Sequence, residues 1–155
     1  MTSFLGEYEV ALDAKGRFLL PSGFRKQMAE GTGGKFVVKR DFEKCLTIYP
    51  AETWTAISEK INRLNDLKES VRQFKRLFLN GATQVELDTA DRLLITKPLQ
   101  EYAGIKKDAV LVAQGNKLEL WDKDTYYDYL RQNAVNVSRL AEEVANDFGN
   151  PFENL

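Results

Sequence analysis

Gly6-Glu7-Tyr8-Glu9-Val10-Ala11-Leu12-Asp13-Ala14-Lys15-Gly16-Arg17 and Gly81-Ala82-Thr83-Gln84-Val85-Glu86-Leu87-Asp88-Thr89-Ala90-Asp91-Arg92 are two versions of one unit, set 75 residues apart. Gly, Val, Leu, Asp and Arg coincide. The match runs on through Leu19 over Leu94, with Pro21 and Pro98 shortly after. Further along, Leu46-Thr47-Ile48-Tyr49 resembles Leu118-Glu119-Leu120-Trp121, with a three-residue length change between. An ordered series of this extent indicates duplication, and duplication decides the architecture: one supersecondary unit used twice.

Each copy reads alike. Tyr8, Val10 and Leu12 alternate with Glu7, Glu9 and Ala11, the period of a half-buried strand. Asp13-Ala14-Lys15-Gly16 is turn chemistry, and Arg17 to Leu20 starts a return strand, so the unit opens as a β-hairpin. Pro21-Ser22 then opens a short helix, with Ser22 as N-cap and Phe24 and Met28 four apart on one face, ending at the Gly31-Thr32-Gly33-Gly34 break. Phe36 to Lys39 and Leu46 to Tyr49 form a second strand pair across Asp41-Phe42-Glu43-Lys44. The second copy repeats this with Val85 to Leu87, Arg92 to Ile95, a short helix around Leu99 to Tyr102, Val110 to Ala113 and Leu118 to Trp121, turning at Gln114-Gly115-Asn116. Helical spacing follows each copy: Trp54, Ile57, Ile61 and Leu64, then Leu67, Val71, Phe74 and Phe78, stopping at Asn80-Gly81; and later Tyr126, Tyr129 and Leu130, then Leu140, Val144 and Phe148. The organisation predicted is a first repeat over 5–52, a helical connector over 53–80, a second repeat over 81–124, and C-terminal helices and tail over 125–155.

Composition narrows function. The 155 residues contain no histidine, which removes His-based nucleophile activation, general acid/base chemistry and metal ligation. No nucleophile, metal cluster or phosphate-cradling glycine loop accompanies the carboxylate pairs Glu142/Glu143 and Asp122/Asp124, so neither a catalytic residue, a metal nor a cofactor is expected. Cys45 is the one cysteine and falls in an apolar run, where a small buried hydrophobe is the expected role. The opening Met1-Thr2-Ser3-Phe4 lacks a basic, apolar leader, and no apolar stretch approaches the roughly 20 residues that span a bilayer. A cytoplasmic protein without membrane attachment is expected. Net charge is −1, yet residues 1 to 80 carry 14 Lys/Arg against 10 Asp/Glu while 81 to 155 carry 8 against 13. A polyanion should meet the first half.

The turns Asp13-Ala14-Lys15-Gly16-Arg17 and Asp88-Thr89-Ala90-Asp91-Arg92, with Phe4-Leu5-Gly6-Glu7-Tyr8, Pro21-Ser22-Gly23-Phe24-Arg25 and the Leu118-Glu119-Leu120-Trp121 strand, resemble the bacterial MraZ family, whose paired Asp-x-x-x-Arg motifs they match. The resemblance implies an α+β fold with a mainly β core, in which tandem SpoVT/AbrB-like swapped-hairpin repeats interlock as an intramolecular pseudo-dimer. It implies a nucleoid-associated repressor that binds short direct repeats in promoter DNA as a ring-shaped homo-oligomer and controls the division and cell-wall gene cluster. An oligomeric protein scaffold or antitoxin-like module is the rival reading.

An arginine just past a hairpin turn offers a planar fork for a phosphate or a guanine edge. Lys15, Arg17, Arg25, Lys26 and Arg92 are therefore the expected DNA contacts. Asp13 and Asp88 are expected to fix the loops and orient the arginines, with Gly16 completing the first turn. The loops differ in charge: Lys15 and Arg17 against Asp13 leave the first at +1, while Arg92 against Asp88 and Asp91 leaves the second at −1. Arg25 and Lys26 are expected beside the first loop, where the matching helix of the second unit offers Gln100 and Glu101. The first repeat is thus expected to contact DNA, and Arg17 to matter more than Arg92. A second basic group, Lys68, Arg72, Lys75 and Arg76, has helical spacing and reads as a solvated face or as a partner for Asp122, Asp124 and Asp128 of a neighbouring subunit.

Overall fold

The computed structural model describes residues 3–28 and 32–154. Met1 and Thr2 of the opening, and Gly31 of the expected glycine break, lie outside the described residues. The first repeat runs β1 (Glu7–Ala11), β2 (Arg17–Leu19), α1 (Ser22–Arg25), β3 (Lys35–Arg40) and β4 (Leu46–Pro50). A connector of α2 (Ala51–Asn62) and α3 (Glu69–Leu79) leads to β5 (Thr83–Glu86), β6 (Arg92–Leu94), α4 (Lys97–Ala103), β7 (Asp108–Gln114) and β8 (Lys117–Asp122). Last come α5 (Lys123–Asn133) and α6 (Val137–Phe148). The chain divides into two compact units, Met1–Lys123 and Asp124–Leu155. Both repeats lie in the first of them.

The opening hairpin is not a two-stranded ladder. β1 pairs with β7 of the other repeat and β5 with β3, while β2 pairs with β6, so the repeats exchange strands. The resulting sheets run β1-β7-β8-β4-β3-β5 and β2-β6, all antiparallel. Hydrogen-bond accounting gives the reason. The β3–β4 and β7–β8 hairpins each present a bare outer edge, and an unpaired buried backbone group is costly. Laddering β1 on β2 would leave those edges open; sending β1 to β7 and β5 to β3 covers both.

The registers display the pseudo-twofold symmetry. Phe18 faces Leu93, its own counterpart, across β2–β6, and Thr47 faces Glu119, again its counterpart, across β4–β8. Loop contacts repeat between equivalent positions of the two repeats. Leu12 N donates to Lys107 O as Leu87 N donates to Gly34 O, and Leu20 N donates to Asp91 O as Ile95 N donates to Gly16 O. This is the interlocked, swapped-hairpin α+β arrangement.

Alternation fills a shared core. In β2 and β6, Phe18 and Leu93 point inward while Leu19 and Leu94 point out, and Leu20 and Ile95 continue the buried series. They join Phe24, Phe36, Ile48, Leu111 and Leu120 in one cluster drawn from both repeats. At roughly 1.5–3 kcal/mol per buried large side chain, this cluster rewards interlocking far more than either repeat could alone. α1 begins at Ser22 itself, with no side-chain cap: Pro21 supplies the first acceptor, its carbonyl taking Phe24 N and Arg25 N, and its ring presets the entry φ of −55°. The β7–β8 turn places Gly115 at φ +66° in its first position, a conformation that favours glycine.

Candidate nucleic-acid interface

The two Asp-x-x-x-Arg turns have one geometry. Asp13 Oδ1 accepts Lys15 N and Arg17 N, both at 2.9 Å, and Oδ2 accepts Arg17 Nε at 2.9 Å. Asp88 does the same with Ala90 N, Arg92 N and Arg92 Nε, all at 2.9 Å. Three intervening residues let one carboxylate close the turn and grip the arginine that leaves it. The backbone N–H of that arginine, first among the causes, holds each carboxyl below its ordinary pKa. Asp13 engages Nε, so the two terminal nitrogens of Arg17 carry the other four N–H donors of the fork.

Because β2 pairs with β6, the turns lie side by side. Arg92 Nη1 is 3.9 Å from Asp13 Oδ2, and the Arg17 and Arg92 side chains are 27% and 34% exposed. Lys15 and Lys26 are exposed. Gly16 is buried at φ +83°, and an added Cβ would stand 2.7 Å from Ile95 O. Its counterpart Asp91 adopts φ +61° at the equivalent crossing.

Arg25 is not beside the first loop. The strand exchange carries it to the second, where Nη1 forms an ion pair with Asp91 Oδ2 across 66 residues of sequence. The charge of Asp91 is thereby matched, and the −1 assigned to that loop in isolation becomes zero in the folded chain. At the first loop the structure gathers cations absent from the sequence reading. Lys97 and Lys106 line a polar hollow of about 420 Å³ together with Asp13, Lys15, Gly16 and Gln100. They lie more than 80 residues from Lys15 in sequence, and only the repeat offset, which sets Lys97 over Ser22, hinted at their neighbourhood.

The α3 cations are partly turned inward on their own connector. Arg72 Nη1 donates to Asp66 O and Leu67 O, and Lys75 Nζ to Asn62 O. Of the acids expected to meet them, Asp128 forms an ion pair with Arg131. Among the described residues one trio, Asp41, Cys45 and Glu119, has metal-ligand types close together. Asp41 Oδ1 accepts Thr47 Oγ1 at 2.6 Å and Glu119 Oε1 accepts Trp121 Nε1 at 3.1 Å. Cys45 is fully buried, and burial pushes its thiol pKa well up, so it remains a neutral thiol. No described helix is long and apolar enough to cross a membrane.

Known proteins share this organisation. A family model described as "MraZ protein, putative antitoxin-like" matches residues 3–77 and again 78–148. The transcriptional regulator MraZ of Christiangramia forsetii is 43% identical over 145 residues, covering 93% of this chain and 94% of that one. Those of Natranaerobius thermophilus and Cytophaga hutchinsonii are 36% and 38% identical, covering 91% and 92% of this chain and 96% and 95% of theirs.

Proposed function

Since the chain belongs to the MraZ family, we propose that it is a non-enzymatic transcriptional regulator whose paired Asp-x-x-x-Arg turns dock on double-stranded promoter DNA. The observation that carries this reading is the pair of arginines, each gripped by an aspartate through Nε and aligned side by side on the β2–β6 ribbon. A guanidinium held in one orientation loses less entropy on meeting a guanine edge or phosphate, and two of them act together. Lys15 and Lys26 add phosphate contacts, while Asp13, Gly16 and Asp88 keep the turns in shape. Arg25 supports the second loop through Asp91 and contributes less to DNA than Arg17.

Short direct repeats in its own promoter are the proposed target, with repression of the division and cell-wall gene cluster as the outcome. A ring of copies suits such a target, because regular spacing of weak loops multiplies affinity for regularly spaced sites. Self-association is favoured by the exposed stripe Val137, Leu140, Val144 and Phe148 on α6 and by exposed Leu67 and Leu77 in the connector. The same stripe also suits a scaffold or antitoxin-like role, which requires no salt-sensitive DNA binding.

The deciding experiment titrates the protein against DNA upstream of its own operon, with a scrambled control, at two salt concentrations while particle mass is measured. Specific, salt-sensitive binding by a multimer is expected. Arg17→Ala should cost about 1–3 kcal/mol of specific binding and Arg92→Ala less. Equal affinity for both DNAs counts against the proposal, and equal losses in the two variants count against the greater weight given to Arg17.

A further inference from the structure

We propose that Lys97 and Lys106 of the second repeat join Lys15 of the first in a cradle for a DNA backbone phosphate, next to Arg17. The inference rests on the DNA-binding reading above and adds to it a subsite made by both repeats. The hollow these lysines line holds about 420 Å³, far above the ~30 Å³ share of one water, so a phosphate and its hydration fit. Its one carboxylate, Asp13, already holds Arg17 at 2.9 Å. All three lysines are exposed, so they can pair with a phosphate at small desolvation cost. Glu101 reaches an adjoining hollow that shares Lys97 and Lys106, which offsets one of the charges and leaves a surplus.

The internal symmetry supplies a control. At the second loop, the residues equivalent to Lys15, Gly16, Lys97 and Gln100 are Ala90, Asp91, Ser22 and Arg25. That end reaches the same backbone crossing, Leu20 N to Asp91 O matching Ile95 N to Gly16 O. It does so without the lysines, and it closes its own charge through Arg25 and Asp91. Folding therefore does not require lysines at these positions. They mark one end of a pseudo-symmetric pair for an anion. Asp13 links the subsite to the reading head, since it lines the hollow while gripping Arg17. A lysine is a point charge without the planar fork of arginine, so this subsite would set register and strength and leave sequence discrimination to Arg17.

The test measures log K against log salt for the full chain on its upstream DNA and on a scrambled duplex. The parent, Lys97→Ala, Lys106→Ala, their double variant and Lys107→Ala are compared; Lys107 is exposed but does not line the hollow. The expected result is a slope shallower by about 0.9 for each cradle lysine removed, on both DNAs alike, with the preference for upstream DNA unchanged. Denaturant midpoints should stay at the parent value. A double variant that keeps the parent slope overturns the cradle, and so does a loss no larger than that of Lys107→Ala. If the parent binds neither duplex, the functional reading itself fails and the cradle with it; a binding parent with an unchanged double variant sinks the cradle alone.

Discussion

Replacing Gly16 by alanine tests whether the crossing of the two loops is as tight as the structure shows. At φ +83° a side chain costs about 1–2 kcal/mol of backbone strain. The new Cβ would stand 2.3 Å from Gln100 Nε2 and 2.7 Å from Ile95 O. The glutamine can swing away, but it then gives up its 2.7 Å bond to Ile95 O, a net loss of about 0.5–1.5 kcal/mol. The carbonyl cannot follow, because Ile95 N donates to Gly16 O at 2.8 Å and ties the two loops together. Together these give about 1.5–3.5 kcal/mol. Gly115→Ala is the matched control: its φ is +66°, and an added Cβ meets nothing within 4 Å, so only the conformational cost of about 1 kcal/mol applies. Urea unfolding at fixed protein concentration reads both. With m near 1–3 kcal/mol/M, Gly16→Ala should lower the midpoint by on the order of 1–2 M at unchanged m. If Gly16→Ala costs no more than Gly115→Ala, the close approach of Gly16 to Ile95 is not a constraint on the fold.

Two further outcomes are expected. Asp91→Asn leaves the Arg25 charge unmatched at the second loop; the pair is 32% and 46% exposed, so stability should fall by less than about 1 kcal/mol. The salt slope of DNA binding should then steepen by up to about 0.9, and an unchanged slope would show that Arg25 is out of reach of DNA. For pH, the carboxyls of Asp13 and Asp88 lie lower in the folded chain than the unfolded value of about 3.9. Their contribution is therefore complete above that value and lost only as pH falls through the folded one. Arginine Nε–H resonances of Arg17 and Arg92 should stay in place from pH 8 to 5 and shift only below about pH 4; movement near pH 6 would contradict the grip.

Much of the site was legible in sequence because its physics is local. An aspartate four residues before an arginine, across a tight turn, specifies hydrogen bonds within five residues, and those bonds are present in both copies. The burial of Cys45 followed equally from its apolar context. The partner of each strand did not. Alternation marks a strand and its inner face, but any antiparallel edge can satisfy the same backbone, and here β7 and β3 supplied edges more than 25 residues from the strands they took. That choice moved Arg25 from the first loop to Asp91 of the second and brought Lys97 and Lys106 to Lys15. Turn chemistry and core pattern were thus determined by the sequence alone. The distribution of charge between the two loops belongs to the tertiary structure, because charge adds up over distances in space, and the strand exchange decides which distances are short.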